Sequence, residues 1–123
     1  MFKLFRKVYK ASLLLVFITM NREEFVEALA DNCDEDLQTV QKKNNDYAQG
    51  DDPFQNFRMV EDAGLTTVEQ GIAVRMSDKL QRVFNLLPEG ESADVDDESL
   101  EDTLSDLRNY ANILQVYVEE ERQ

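Results

Sequence analysis

With 123 residues, 42% of them hydrophobic and 32% charged, the chain has room for one domain with one core and too much apolar content for wholesale disorder. A net charge of −13 repels a phosphate backbone, which argues against direct nucleic-acid binding, and the absence of histidine removes the usual general base and the commonest transition-metal ligand. Cys33 stands alone, which excludes an intrachain disulfide and points to a reducing, cytoplasmic setting. Any metal should then be a hard cation held by carboxylates, Mg²⁺ or Mn²⁺.

Residues 1–20 carry Lys3, Arg6, Lys7 and Lys10 without an acid, so the rest of the chain holds all 26 acids against nine of the 13 bases. This basic start and the apolar run from Leu13 to Ile18 admit three readings. A secretory signal has this order, but no A-x-A-like site follows. A membrane contact would be interfacial, because a spanning helix needs about 20 apolar residues. A dispensable arm, or a translation start placed ahead of the true one at Met20, accounts best for the abrupt change in composition. The domain is therefore expected to occupy 21–123.

Asn21 and Glu24 make an N-cap and N3 pair that opens a helix running to Tyr47, with Phe25, Leu29, Cys33, Leu37, Val40 and Tyr47 on one stripe. Gly50-Asp51-Asp52-Pro53 ends it. Asp52 is predicted to cap a short second helix with Pro53 at its first position, Phe54, Phe57 and Val60 on its apolar side and Gly64 at its end. Thr66 and Glu69 predict a capping box for a third helix that stops before Pro88 and is striped by Val68, Ile72, Met76, Leu80, Val83 and Leu87. After an acidic loop from Glu89 to about Asp97, Asp97 or a neighbour caps the last helix, with Leu100, Leu104, Leu107, Ala111, Leu114 and Val118 on its stripe. Three long amphipathic helices and one short one predict an all-α helical bundle, with apolar area left over for a homo-oligomeric contact.

Several ionic residues interrupt these stripes. Asp36 lies about 20° from the apolar centre of the first helix, flanked by Lys43 and Asn44, and Lys79 lies about 20° from Ile72, with Arg75 and Arg82 at the edge. Glu98, Asp102 and Asp106 follow one another at four-residue spacing and turn toward the apolar face beside Tyr110. Buried charge must pair, line a pocket or bind a ligand. The structural reading is that Lys79 snorkels to a carboxylate such as Asp106 and that the acidic ridge is a solvated face. The functional reading is one cleft with carboxylates for a divalent ion, cations for phosphate and an aromatic ring for a base. Lys42 to Arg58, rich in aromatics, asparagine and lysine, suits a nucleobase, or else Phe54 and Phe57 plug one end of the bundle.

Lys43-Asn44-x-Asp46-Tyr47, Asp52-Pro53-Phe54-x-Asn56-Phe57, Arg75-Met76-x-Asp78-Lys79-x-x-Arg82 and the segment from Asp97 to Ala111 together resemble the phage-associated nucleotide modification associated domain family. That family is often placed near the MazG-like all-α nucleoside triphosphate pyrophosphohydrolases. The resemblance spans residues 25–118. It implies a MazG-like helical domain encoded by viruses or mobile elements, at work on deoxynucleotide pools in the host cytoplasm. The MazG comparison implies Mg²⁺- or Mn²⁺-dependent cleavage of a dNTP to dNMP and pyrophosphate. Glu98-x-x-Glu101 matches the first half of the MazG acidic pattern, and the partner helix offers Asp78 alone.

Combined with the stripes, this gives Asp78 and Lys79 as catalytic candidates and Glu98, Asp102 and Asp106 as metal-facing acids. The substrate-binding candidates are Lys43, Asn44, Asp46, Tyr47, Asn56, Phe57, Arg75 and Arg82. The rival expectations are a non-enzymatic acidic viral module that binds a host protein, and a membrane-surface protein held by its first residues.

Overall fold

The computed structural model of the chain describes residues 19–47, 50–88 and 99–122, the side chains of 46 and 47 excepted. The N-terminal arm, the acidic loop with Asp97 and Glu98, and the side chains of Asp46 and Tyr47 therefore lie outside the described residues. These contain helices and no strand: α1 (Arg22–Tyr47), α2 (Gln55–Asp62), α3 (Val68–Leu86) and α4 (Leu100–Val116), which passes into a π-helical turn over Tyr117–Glu121. The all-α bundle class expected from the sequence is what the fold shows. No helix among the described residues is long and apolar enough to cross a membrane. By internal contacts the chain divides into two compact units, Met1–Glu35 and Asp36–Gln123, the division falling inside α1.

In the first unit, the Glu24 amide donates to Asn21 Oδ1 at 2.8 Å, the cap expected for this helix. Glu23 and Glu24 place negative charge at the positive end of the helix dipole. Phe25, Val26 and Leu29 are exposed, and so is Cys33, so this part of the predicted stripe is not packed inward.

In the second unit the core is built by α2, α3 and the end of α4. Phe54, Val68, Ile72 and Tyr117 are buried together, with Phe57, Met76, Tyr110, Ile113 and Leu114 packed around them. Phe54 meets Tyr117 edge-on, with ring centroids 5.3 Å apart. Arg58 stands over both rings at 5.8 and 5.9 Å and is held by Asp52, Nε to Oδ2 at 2.7 Å. The plug expected of Phe54 is thus a core member, and Arg58 seals it from outside.

Two caps differ from expectation in register, and the third is the neighbour of Asp97 that the sequence allowed. Asp52 does accept from a backbone amide, that of Phe54 at 3.0 Å, but α2 starts at Gln55, so Pro53 lies in the turn before the helix. The cap of α3 is Thr67, whose hydroxyl accepts from the Gln70 amide at 3.2 Å, one residue later than predicted. For α4 it is Ser99, in a full capping box with Asp102. Gly64 ends α2 at φ +73°, and the Leu65 amide reaches back to the Val60 carbonyl at 2.9 Å.

The stripes need correction too. On α3, Val68, Ile72 and Val83 are buried as predicted, but Leu86 takes the inward place and Leu80 and Leu87 are exposed at the outer edge of the arc. On α4 the inward face carries Thr103, Tyr110, Ile113 and Tyr117, roughly 90° around the helix from the leucine stripe at 100° per residue; of that stripe Leu114 packs against the core and Leu100, Leu104 and Leu107 are half-buried, while Ala111 and Val118 are exposed. On α1, Leu37 is exposed and the neighbouring Asp36 is 5% exposed. The reason is ionic: Arg108 grips Asp36 through two bonds, Nε to Oδ2 at 2.6 Å and Nη2 to Oδ1 at 3.0 Å, and the Ser105 hydroxyl donates to Oδ1. A carboxylate with three donors can be buried, and burying it turns its apolar neighbour outward.

Candidate functional site

Three helices meet at Asp106. It lies on the inward arc of α4, one turn before Tyr110, and its side chain is 17% exposed. Lys79 of α3 reaches its Oδ2 at 2.9 Å, and Lys43 of α1 reaches its Oδ1 at 3.2 Å. Lys79 is therefore the snorkelling partner of Asp106 that its place in the α3 stripe suggested. Both carboxylate oxygens of Asp106 face an ammonium group. With Asp36 bound by Ser105 and Arg108 on the same stretch of α4, the helix holds α1 through two polar clasps.

Beside the Asp106 clasp opens a groove of about 500 Å³, a size usual for small-molecule sites. Its polar lining is Lys43 and Asn44 of α1, Asn56 of α2 and Arg75 of α3; the rest of the lining is Val40, Phe57, Met59, Tyr110 and Ile113. The Asn44 amide donates to the Pro53 carbonyl at 3.2 Å, tying the end of α1 to the turn before α2 and fixing that corner. Among the described residues no carboxylate lines the groove, in a protein with 26 acids and 13 bases. Two cations, two amides and two aromatic rings in one lining can, by their chemistry, hold an organic anion with a flat, weakly polar body.

Five of the predicted substrate-binding residues are thereby brought together: Lys43, Asn44, Asn56, Phe57 and Arg75. Arg82 is half-buried two turns further along α3 and is not part of the lining, and Asp78 is exposed. Of the expected metal-facing acids, Glu98 lies outside the described residues. Asp102 is engaged in the α4 cap, where it accepts from the Ser99 amide at 3.4 Å, and Asp106 is bracketed by lysines. Among the described residues no three Asp, Glu or Cys side chains gather as a metal ion requires.

Val40, Met59, Tyr110 and Ile113 were not singled out as site residues from the sequence. Tyr110 and Ile113 share one face of α4 at a spacing of three, a signal that the neighbouring leucine stripe obscures. Met59 and Val40 carry no chemical mark that separates a groove wall from a core. The chain matches no protein-family model, no curated protein and no solved structure.

Proposed function

We propose that the groove binds a nucleotide and that the protein acts on deoxynucleotide pools in the cytoplasm, as its resemblance to the nucleotide-modification family implies. The observation that carries this reading is the groove's composition: Lys43 and Arg75 with, among the described residues, no carboxylate, together with Phe57 and Tyr110. The aromatic rings offer stacking surface for a base and Asn56 an amide for its edge, while the two cations take the phosphate. Hydrolysis of a dNTP, the activity the MazG comparison implies, needs Mg²⁺ or Mn²⁺. With Asp102 and Asp106 occupied, the described side chains do not fit a metal cage, so the proposal stops at binding and routes no step through a metal.

A thermal-shift screen of the canonical deoxynucleotides, with and without Mg²⁺ or Mn²⁺, tests it. At least one nucleotide is expected to raise Tm. Arg75→Gln should leave the Tm of the free protein unchanged, Arg75 being exposed, while weakening binding by roughly 1.5–3 kcal/mol, the worth of a hydrogen bond to a charged group. A screen in which no nucleotide shifts Tm and none is turned over removes the reading.

One observation favours a protein partner as a second reading. Phe25, Val26 and Leu29 are all exposed and lie within about 100° of arc on α1, an apolar face of the kind that marks association. A second copy of the chain is the partner proposed for it. A basic host protein is the alternative, drawn by the acidic surface.

A further inference from the structure

Resting on the nucleotide reading above, we propose that the ligand bridges α2 and α3, held by Asn56 on one and Arg75 on the other, and that Gly71 sets the span between them.

α2 and α3 run antiparallel across the turn at residues 63–67: the Val68 amide donates to Glu61 Oε2 at 3.3 Å, and Val60 lies against Gly71. One helical turn further from the connection, the same register pairs Asn56 of α2 with Arg75 of α3, and both line the groove. The backbone does not require glycine at 71. Gly71 lies inside α3 without a positive φ, where alanine is the better helix former. Contact requires it instead. A Cβ there would stand 2.8 Å from Val60 Cγ2, with Val60 Cβ at 3.8 Å and Cγ1 at 3.9 Å behind it. Valine in a helix strongly prefers one χ1 rotamer, so α2 itself has to withdraw. Reaching ordinary contact at 3.4 Å takes about 0.6 Å, and one turn away that displacement widens the span from Asn56 to Arg75. A hydrogen bond of about 2.9 Å lengthened by as much passes beyond the roughly 3.2 Å edge of good N–H···O geometry. A ligand that needs both side chains at once then keeps one and loses the other. A ligand held from one helix alone moves with that helix and keeps its contacts.

Isothermal titration calorimetry on the full chain measures this, with dAMP, dCMP, dGMP, dTMP and the four triphosphates, each with and without Mg²⁺. For whichever of these binds the wild type most tightly, Gly71→Ala is expected to weaken binding about fivefold or more, the fold-change of one ordinary hydrogen bond lost. Adding Val60→Ala makes room for the new methyl and should restore most of that affinity. Val83→Ala truncates the core on α3 at a residue that does not line the groove; it should lower Tm and leave Kd unchanged. Asn56→Ala and Arg75→Gln, both at exposed positions, test the bridge even if Gly71→Ala fails to fold, and each alone should weaken binding. An unchanged Kd in a folded Gly71→Ala protein overturns the proposal. So does a loss in Val83→Ala as large as that in Gly71→Ala, or an Asn56→Ala protein that binds like the wild type. In each of those cases the nucleotide reading stands. If the wild type binds none of these nucleotides, reading and proposal fall together.

Discussion

Asp36 and Leu37 are adjacent on α1, and the charged one is buried. Three donors from Ser105 and Arg108 compensate the desolvation of the Asp36 carboxylate, whereas an isolated buried charge would not be tolerated. Removing a partner from a buried pair costs about 3–5 kcal/mol when both are enclosed. Arg108 is 42% exposed, so Asp36→Ala is expected to cost nearer 2–3 kcal/mol in chemical denaturation, with the water-accessible guanidinium softening the loss. Asp52 gives a residue-scale prediction in pH. Its carboxyl is held below the model-peptide value of 3.8, chiefly by the hydrogen bond from Arg58; a smaller opposing push comes from burial, and the Phe54 amide and the Arg58 charge add to the lowering. A depressed pKa contributes stability above the unfolded value, and that contribution is lost as pH falls through the folded one. The stability difference between the wild type and Asp52→Asn should therefore be present at pH 6 and vanish as pH drops below about 3.8. An equal difference at pH 6 and pH 3 would place the stabilisation elsewhere.

At the scale of elements, helix existence was legible and helix rotation was not. Caps and breakers are local: Asn21, Thr67 and Ser99 mark helix starts by accepting from amides three residues on, and Gly64 with its positive φ and Pro88 with no N–H mark ends, so errors there stay within a residue or two. Rotation is decided between helices. The leucine stripe of α4 is the strongest apolar pattern in its own sequence, yet Tyr110, Ile113 and Tyr117 face the core because Phe54 and Arg58 of the next layer fit against a tyrosine ring. No periodicity in α4 alone contains that information. The α2–α3 crossing is set by a close approach of the same kind. A Cβ on Gly71 would come within 2.8 Å of Val60 Cγ2, and valine has few rotamers to retreat into. Gly71→Ala is thus expected to destabilise by about 1–2 kcal/mol, although alanine is the better helix former by about 1 kcal/mol. Val60→Ala added to it should recover part of the loss; a Gly71→Ala protein more stable than the wild type would show that the helices move apart freely.

For the whole molecule, the misplaced ionic residues were informative and their assigned roles only partly so. The sequence marks Lys43, Lys79 and Asp106 as charges on apolar faces, and in the structure they converge, because three helices each present one. Whether a convergent carboxylate holds a metal or a lysine depends on partner distances, which spacing along one helix does not encode. The exposed apolar face near the start of α1 makes a separate prediction at this scale: the protein should sediment as a dimer or larger, and Phe25→Glu with Leu29→Glu should return it to a monomer with its helix content intact. A monomeric wild type would leave that face to a different partner.

Backbone amide chemical-shift mapping tests most directly whether a nucleotide binds in the groove lined by Lys43, Arg75, Phe57 and Tyr110. On titration with deoxynucleoside monophosphates, shifts are expected to concentrate at residues 40–44, 56–59, 75 and 110–113 and to be abolished by Arg75→Gln. Saturating shifts confined to other surfaces, or none at all, would contradict binding there.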